Sequence, residues 1–267
     1  MTSQPAFGES PCARAKSLDM AGPDIEFLTV AGVRIAYRRR LGGSPTLLFL
    51  PGYASDMDGT KADAFDAFAA KRGLAMVRFD YSGTGASHGE FAEGTLDGWL
   101  DQALAVVDKL TSGPLIPIGS SMGGWIALHV ALRRPKRVAG VVGIAAAPDF
   151  TQWGFTESQM RQIAREGMIE EDNPYGPESS RTYREFWESG QQLRLLEGEI
   201  AIDCPVRLVH GDGDDEVPID IAYRLLGRLR SADVQLLTIK DGGHRLSRPH
   251  EIDAIMHIVS GLLEQPI

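Results

Sequence analysis

The sequence predicts an α/β fold: an eight-stranded, mostly parallel sheet with helices on both faces and a helical cap insert. Three observations predict it. Short apolar runs that lack polar alternation recur along the chain, segments of helical length separate them, and the interval 149–203 contains no such run. A strand that loses alternation is buried on both faces, and an intervening helix makes the crossover parallel and right-handed. The chain of 267 residues is long enough to bury one sizeable core.

The elements follow in chain order. Residues 1–24 mix Ser, Pro, Gly and Ala with charges of both signs and hold no apolar signal-like run. Arg14 and Lys16 suit a transit peptide, Glu9 and Asp19 argue against one, and a flexible N-terminal arm is the expectation. Residues 25–30 and 33–39 alternate around Ala31-Gly32, a hairpin pattern that places both strands at a sheet edge. Strands are then expected at 46–50, 74–79, 115–118, 138–145, 206–209 and 234–239, with helices at 61–72, 96–111, 122–133, 219–230 and 249–263. Within 149–203 two amphipathic helices are expected, at 157–167 and 179–196, because a structureless loop of that length is uncommon. The chain thus divides into the arm 1–24, a core of 25–148 and 204–267, and the cap insert 149–203.

Composition excludes several function classes. Lys plus Arg total 27 against 36 Asp plus Glu, a net charge of −9 and the wrong sign for a phosphate backbone, so no nucleic-acid partner is expected. The longest uncharged stretch, 110–132, is broken by Pro114, Pro117, Gly119, Gly123 and Gly124, so no membrane span is expected. Cys12 and Cys204 lie too far apart to suggest a disulfide framework or a metal knuckle. No metal or organic cofactor is expected, and a reducing compartment fits: the cytoplasm, or the mitochondrial matrix in a eukaryotic source.

Gly119-Ser120-Ser121-Met122-Gly123 matches Gly-x-Ser-x-Gly between an expected strand and an expected helix, the setting in which a nucleophilic serine sits on a sharp turn. Small residues must flank the nucleophile two positions away, which selects Ser121 over Ser120. The alternative is a Gly-rich turn without chemistry. His210-Gly211-Asp212-Gly213-Asp214-Asp215-Glu216-Val217-Pro218 follows the next-to-last strand and offers carboxylates to orient a histidine. Asp214 is selected by its spacing to Val217-Pro218, with Asp215 the runner-up and a solvated acidic turn the alternative. His244, after Gly242-Gly243 and before the last helix, completes the order Ser, Asp, His; the other five histidines fit packing or surface roles better.

An acyl-transfer site also needs two backbone donors for its oxyanion. The amide of Met122, directly after the nucleophile, is one candidate. The other is the amide of Tyr53 in Phe49-Leu50-Pro51-Gly52-Tyr53, where the alternative is a plain Pro-Gly turn. Phe79-Asp80-Tyr81-Ser82-Gly83-Thr84-Gly85 lacks the spacing of a phosphate loop and reads as a structural turn.

These segments, with Gly59-Thr60-Lys61 and the run to Trp125, resemble the α/β-hydrolase superfamily from about Ile25 onward. More narrowly, they are similar to the mitochondrial acyl-protein thioesterase and acyl-glucuronide esterase family and its bacterial relatives. The resemblance implies a triad of Ser121, Asp214 and His244, in agreement with the residue-level reading, and a depalmitoylating activity. It is weak through 149–203, where acyl specificity would be set.

The expected function is hydrolysis of carboxylic esters or thioesters, with small molecules or acyl-proteins as partners. Amide or carbon-carbon hydrolysis on the same triad, or a non-catalytic module of the same fold, are the alternatives. Tyr53, Met122, Trp153, Phe155, Phe186, Trp187 and Leu193 lie on segments expected to roof the serine, and Trp153, Phe155 and Trp187 are the candidate acyl-binding side chains. The insert's own small core is the competing explanation for these aromatics.

Overall fold

The computed structural model describes residues 22–172 and 179–264. In chain order the core begins with β1 (Ile25–Val30), β2 (Val33–Arg40), β3 (Gly43–Leu50), α1 (Thr60–Arg72), β4 (Leu74–Phe79), α2 (Leu96–Leu110), β5 (Leu115–Ser120), α3 (Met122–Arg133) and β6 (Val141–Ile144). The insert follows, with α4 (Phe150–Trp153), α5 (Glu157–Glu166), β7 (Met168–Glu171), β8 (Ser180–Tyr183) and α6 (Arg184–Gln192). The chain then returns to the core through β9 (Val206–Gly211), α7 (Ile219–Arg228), β10 (Val234–Ile239) and α8 (Pro249–Leu263).

Eight strands form one sheet in the order β1-β2-β4-β3-β5-β6-β9-β10. β2 runs antiparallel to both of its neighbours, and the strands from β4 to β10 are mutually parallel. Of the hairpin pair only β1 lies at an edge, β10 forming the other; β2 is interior, contrary to the expectation for the pair, because its last four residues pair with β4.

The interior strands lose alternation because both sides face apolar layers. In β3, Leu48 and Leu50 pack with Trp99, Trp125 and Leu128 from α2 and α3. The intervening Leu47 and Phe49 pack with Phe65, Ile255 and Val259 from α1 and α8. Full burial of each such side chain stabilises the fold by roughly 1.5–3 kcal/mol. α2 starts cleanly because Thr95 accepts the Gly98 amide at its N-terminus.

The insert departs from the two-helix expectation. Residues 157–166 are helical behind a Thr156–Gln159 capping box, but the expected helix at 179–196 is instead β8 followed by α6. β8 pairs antiparallel with β7, and Thr182 is buried, which suits its β-branched side chain to a strand. The two ends of the insert are tied to each other, and the second of them to the core. Asp149, fully buried at φ 60°, accepts the amides of Leu195 and Leu196, each at 2.8 Å. From α3, Trp125 Nε1 and His129 Nε2 meet the carbonyl of Leu193 at 3.0 and 2.8 Å.

Candidate active site

The C-terminal ends of the parallel strands converge on one edge of the sheet. At the end of β5 the chain reverses into α3 through Ser121, whose φ of 55° and ψ of −121° lie outside the usual L-residue regions. The turn is too tight for side chains two residues away. A Cβ at Gly119 would lie 2.1 Å from the carbonyl oxygen of Gly123, and one at Gly123 would lie 2.0 Å from that of Leu50. The flanking glycines thus leave room for the turn that carries Ser121, which is half-buried.

Ser121 Oγ is 3.0 Å from His244 Nε2, and His244 Nδ1 is 2.9 Å from Asp214 Oδ2. The carbonyl-free path from serine to carboxylate is thus one unbroken hydrogen-bond chain among residues brought by β5, the loop after β9 and the loop after β10. The other carboxylate oxygen of Asp214 accepts the amides of Glu216 and Val217 at 3.0 and 2.9 Å. Burial alone would raise the Asp214 carboxyl. The His244 hydrogen bond and charge, with those two amides, outweigh burial and hold it below its ordinary value of 3.8. Asp215, the alternative acid, is exposed.

The loop after β3 lies directly against this serine: a Cβ on Gly52 would sit 3.4 Å from Ser121 Cβ. Of the expected oxyanion donors, Tyr53 follows Gly52 on this loop and Met122 follows Ser121 at the start of α3. The Tyr53 ring packs on Phe91, Trp99, Phe150 and Phe186, and its hydroxyl donates to the carbonyl of Arg181 on β8 at 2.8 Å. Burial pushes the Tyr53 phenol well up, so it stays protonated and donates.

The expected acyl-binding residues lie on the insert. Trp153 and Trp187 direct their indole N–H groups to the carbonyls of Pro148 and Thr151, each at 2.8 Å, and Phe155 packs against Phe150. All three are half-buried on the insert, and no ring or hydrogen-bond contact among the described residues joins them to Ser121 or His244. Phe186, by contrast, is fully buried against Tyr53.

Three neighbours of the site were not singled out as functional by sequence reasoning. His210 is buried, with Nε2 donating to the carbonyl of Val217 at 2.8 Å and 3.5 Å from Asp214 Oδ2. Lys61, on α1, donates to the carbonyl of Arg245, next to His244; burial pushes its amine down to about 8. The Glu216 carboxylate is 3.9 Å from His244 Nε2. Position at strand ends and loop entries was the available signal for His210 and Glu216, whereas the Lys61 contact joins residues 184 apart and leaves no local trace. Among the described residues no group of acidic, His or Cys side chains is arranged to hold a metal ion, and no helix is long and apolar enough to cross a membrane.

Comparison with known proteins places this geometry in context. A family model described as Alpha/beta hydrolase family matches residues 47–255. The human mitochondrial palmitoyl-protein thioesterase ABHD10 is 34% identical over 235 residues, covering 86% of this chain and 77% of its own. The solved structure of alpha/beta hydrolase domain-containing protein 10 from mouse superimposes with a TM-score of 0.85 at 34% identity, covering 90% of this chain and 98% of that one. Est1E from Butyrivibrio proteoclasticus, solved with ferulic acid bound, has a TM-score of 0.76 over 90% of this chain and 100% of that one; at 20% identity it is a likeness of fold alone.

Proposed function

The chain belongs to the alpha/beta hydrolase family, and on that premise we propose that it is a serine hydrolase cleaving carboxylic esters or thioesters through an acyl-enzyme. The observation that carries this reading is the hydrogen-bond chain from Ser121 through His244 to Asp214. In this reading His244 Nε2 removes the Ser121 proton as Oγ attacks the substrate carbonyl. Asp214 fixes the Nδ1–H tautomer and stabilises the imidazolium. The amides of Tyr53 and Met122 receive the oxyanion. The imidazolium then returns its proton to the departing alcohol or thiol, and water repeats the sequence to release the acid. No cofactor enters these steps.

The thioesterase name of the 34%-identical human relative favours an acyl thioester with an apolar chain. Trp153, Phe155 and Trp187, half-buried on the insert, are the side chains proposed to receive that chain. That relative is mitochondrial by name; a reducing cytoplasm or matrix is the proposed setting here.

A fluorophosphonate probe and a panel of p-nitrophenyl esters and acyl thioesters of graded length test the reading. The parent and Ser120→Ala are expected to be labelled and active, and Ser121→Ala unlabelled, with turnover lower by about three orders of magnitude or more. Undiminished labelling of Ser121→Ala overturns the assignment.

A further inference from the structure

The imidazole of His244 has a different carboxylate on each side. Nδ1 faces Asp214 at 2.9 Å, and Nε2, the nitrogen that faces Ser121, lies 3.9 Å from Glu216 Oε2. The Glu216 side chain is 41% exposed, so it borders solvent rather than the core. Its backbone is not free to wander, because its amide donates to Asp214 Oδ1 at 3.0 Å. The same carboxylate that orients the imidazole therefore fixes where Glu216 begins.

This placement has a chemical consequence that rests on the serine-hydrolase reading. A leaving group must come within hydrogen-bond reach of Nε2 to take its proton, about 3 Å away. The leaving atom is then within about 7 Å of Glu216 Oε2. At that range and at partial exposure, one unit charge on the leaving group changes its energy by an amount equivalent to between about threefold and fiftyfold in rate.

We propose that Glu216 is a specificity-determining residue, disfavouring leaving groups that carry negative charge close to the scissile bond and favouring neutral or cationic ones. The substrate class is accordingly an acyl ester or thioester whose alcohol or thiol side is uncharged or positive near the reacting atom. Glu216 holds no proton that the reaction moves. Its effect is electrostatic and falls on the leaving group, whereas the acyl chain lies on the other side of the carbonyl.

Three thioesters of one acyl chain test this, with thiocholine, N-acetylcysteamine and 3-mercaptopropionate as cationic, neutral and anionic leaving groups. Each is assayed with the parent and with Glu216→Gln, which keeps the side-chain shape and removes the charge. Intrinsic leaving ability cancels when the two proteins are compared on the same substrates, and a ratio within each protein is insensitive to a partly folded fraction. The kcat/KM ratio of thiocholine to mercaptopropionate thioester is expected to fall about tenfold in Glu216→Gln, and added salt is expected to shrink the ratio in the parent. A ratio unchanged within about twofold, with the neutral thioester still turned over through Ser121, overturns the role of Glu216 and leaves the hydrolase reading standing. Absence of Ser121-dependent turnover of all three thioesters by the parent overturns this inference, and absence of p-nitrophenyl ester turnover and of fluorophosphonate labelling as well overturns the hydrolase reading with it.

Discussion

A serine held at φ 55° and ψ −121° pays for its reach: backbone strain of this kind costs on the order of 1–3 kcal/mol and persists only where the surroundings enforce it. The glycines at 119 and 123 make room for the turn here, and the same spacing is what nominates Ser121 in the sequence. The acid could not be read so cleanly, since Asp214 and Asp215 are adjacent carboxylates in one loop. What separates them is that both oxygens of Asp214 are engaged, one by His244 and the other by two amides. Asp214→Asn is expected to lower turnover by up to about four orders of magnitude, and Asp215→Asn to do far less, as measured by steady-state kinetics. Linkage gives a second signature. The folded Asp214 carboxyl lies below its ordinary 3.8, so its contribution to stability is present above that value and is lost as pH falls through the folded one. The stability difference between the parent and Asp214→Asn, followed by denaturant titration, should therefore close on acidification.

Elements were legible where a hydrophobic pattern was sustained, in the half-exposed β1 and β10 as in the buried strands. β3, β4, β5 and β9 announce themselves because apolar residues face two layers, and the helices between them carry the matching stripes. β7 and β8 did not, since four-residue strands reading Met-Ile-Glu-Glu and Ser-Arg-Thr-Tyr show too little pattern to outweigh a helical reading. The acyl-binding proposal falls in the same insert, where composition indicates aromatics but not which way they face. Asp149 is the structural pin of this element. Asp149→Ala leaves the amides of Leu195 and Leu196 without their acceptor inside the protein, at an expected cost of about 2–4 kcal/mol. Hydrogen exchange at Leu195 and Leu196 should accelerate well beyond any change in the strands of the core, and equal acceleration everywhere would show that Asp149 stabilises the whole fold rather than the insert.

The whole molecule is coupled through contacts that cross its layers. Lys61 reaches from α1 to the loop that carries His244, and burial and the nearby Arg245 charge press its amine down to about 8 while Glu251 opposes them. Between that value and the ordinary 10.5 the unfolded chain holds more protons than the folded one, so stability rises with pH across this window. Replacing the amine by Lys61→Met should remove the rise, which thermal melts of both proteins from about pH 7 to 10.5 would reveal. A strand rhythm and three loop motifs were enough to give the architecture and to nominate three residues at its edge, whereas contacts between distant segments had to await the structure. The separation of those residues has its own corollary. Ser121 is 123 positions from His244, and Asp214 is 30 from it. A chain emerging from the ribosome thus carries its serine long before the base that could arm it. On the proposed mechanism reactivity requires the last strand to have docked, so the nascent polypeptide is expected to stay unreactive toward fluorophosphonate until then.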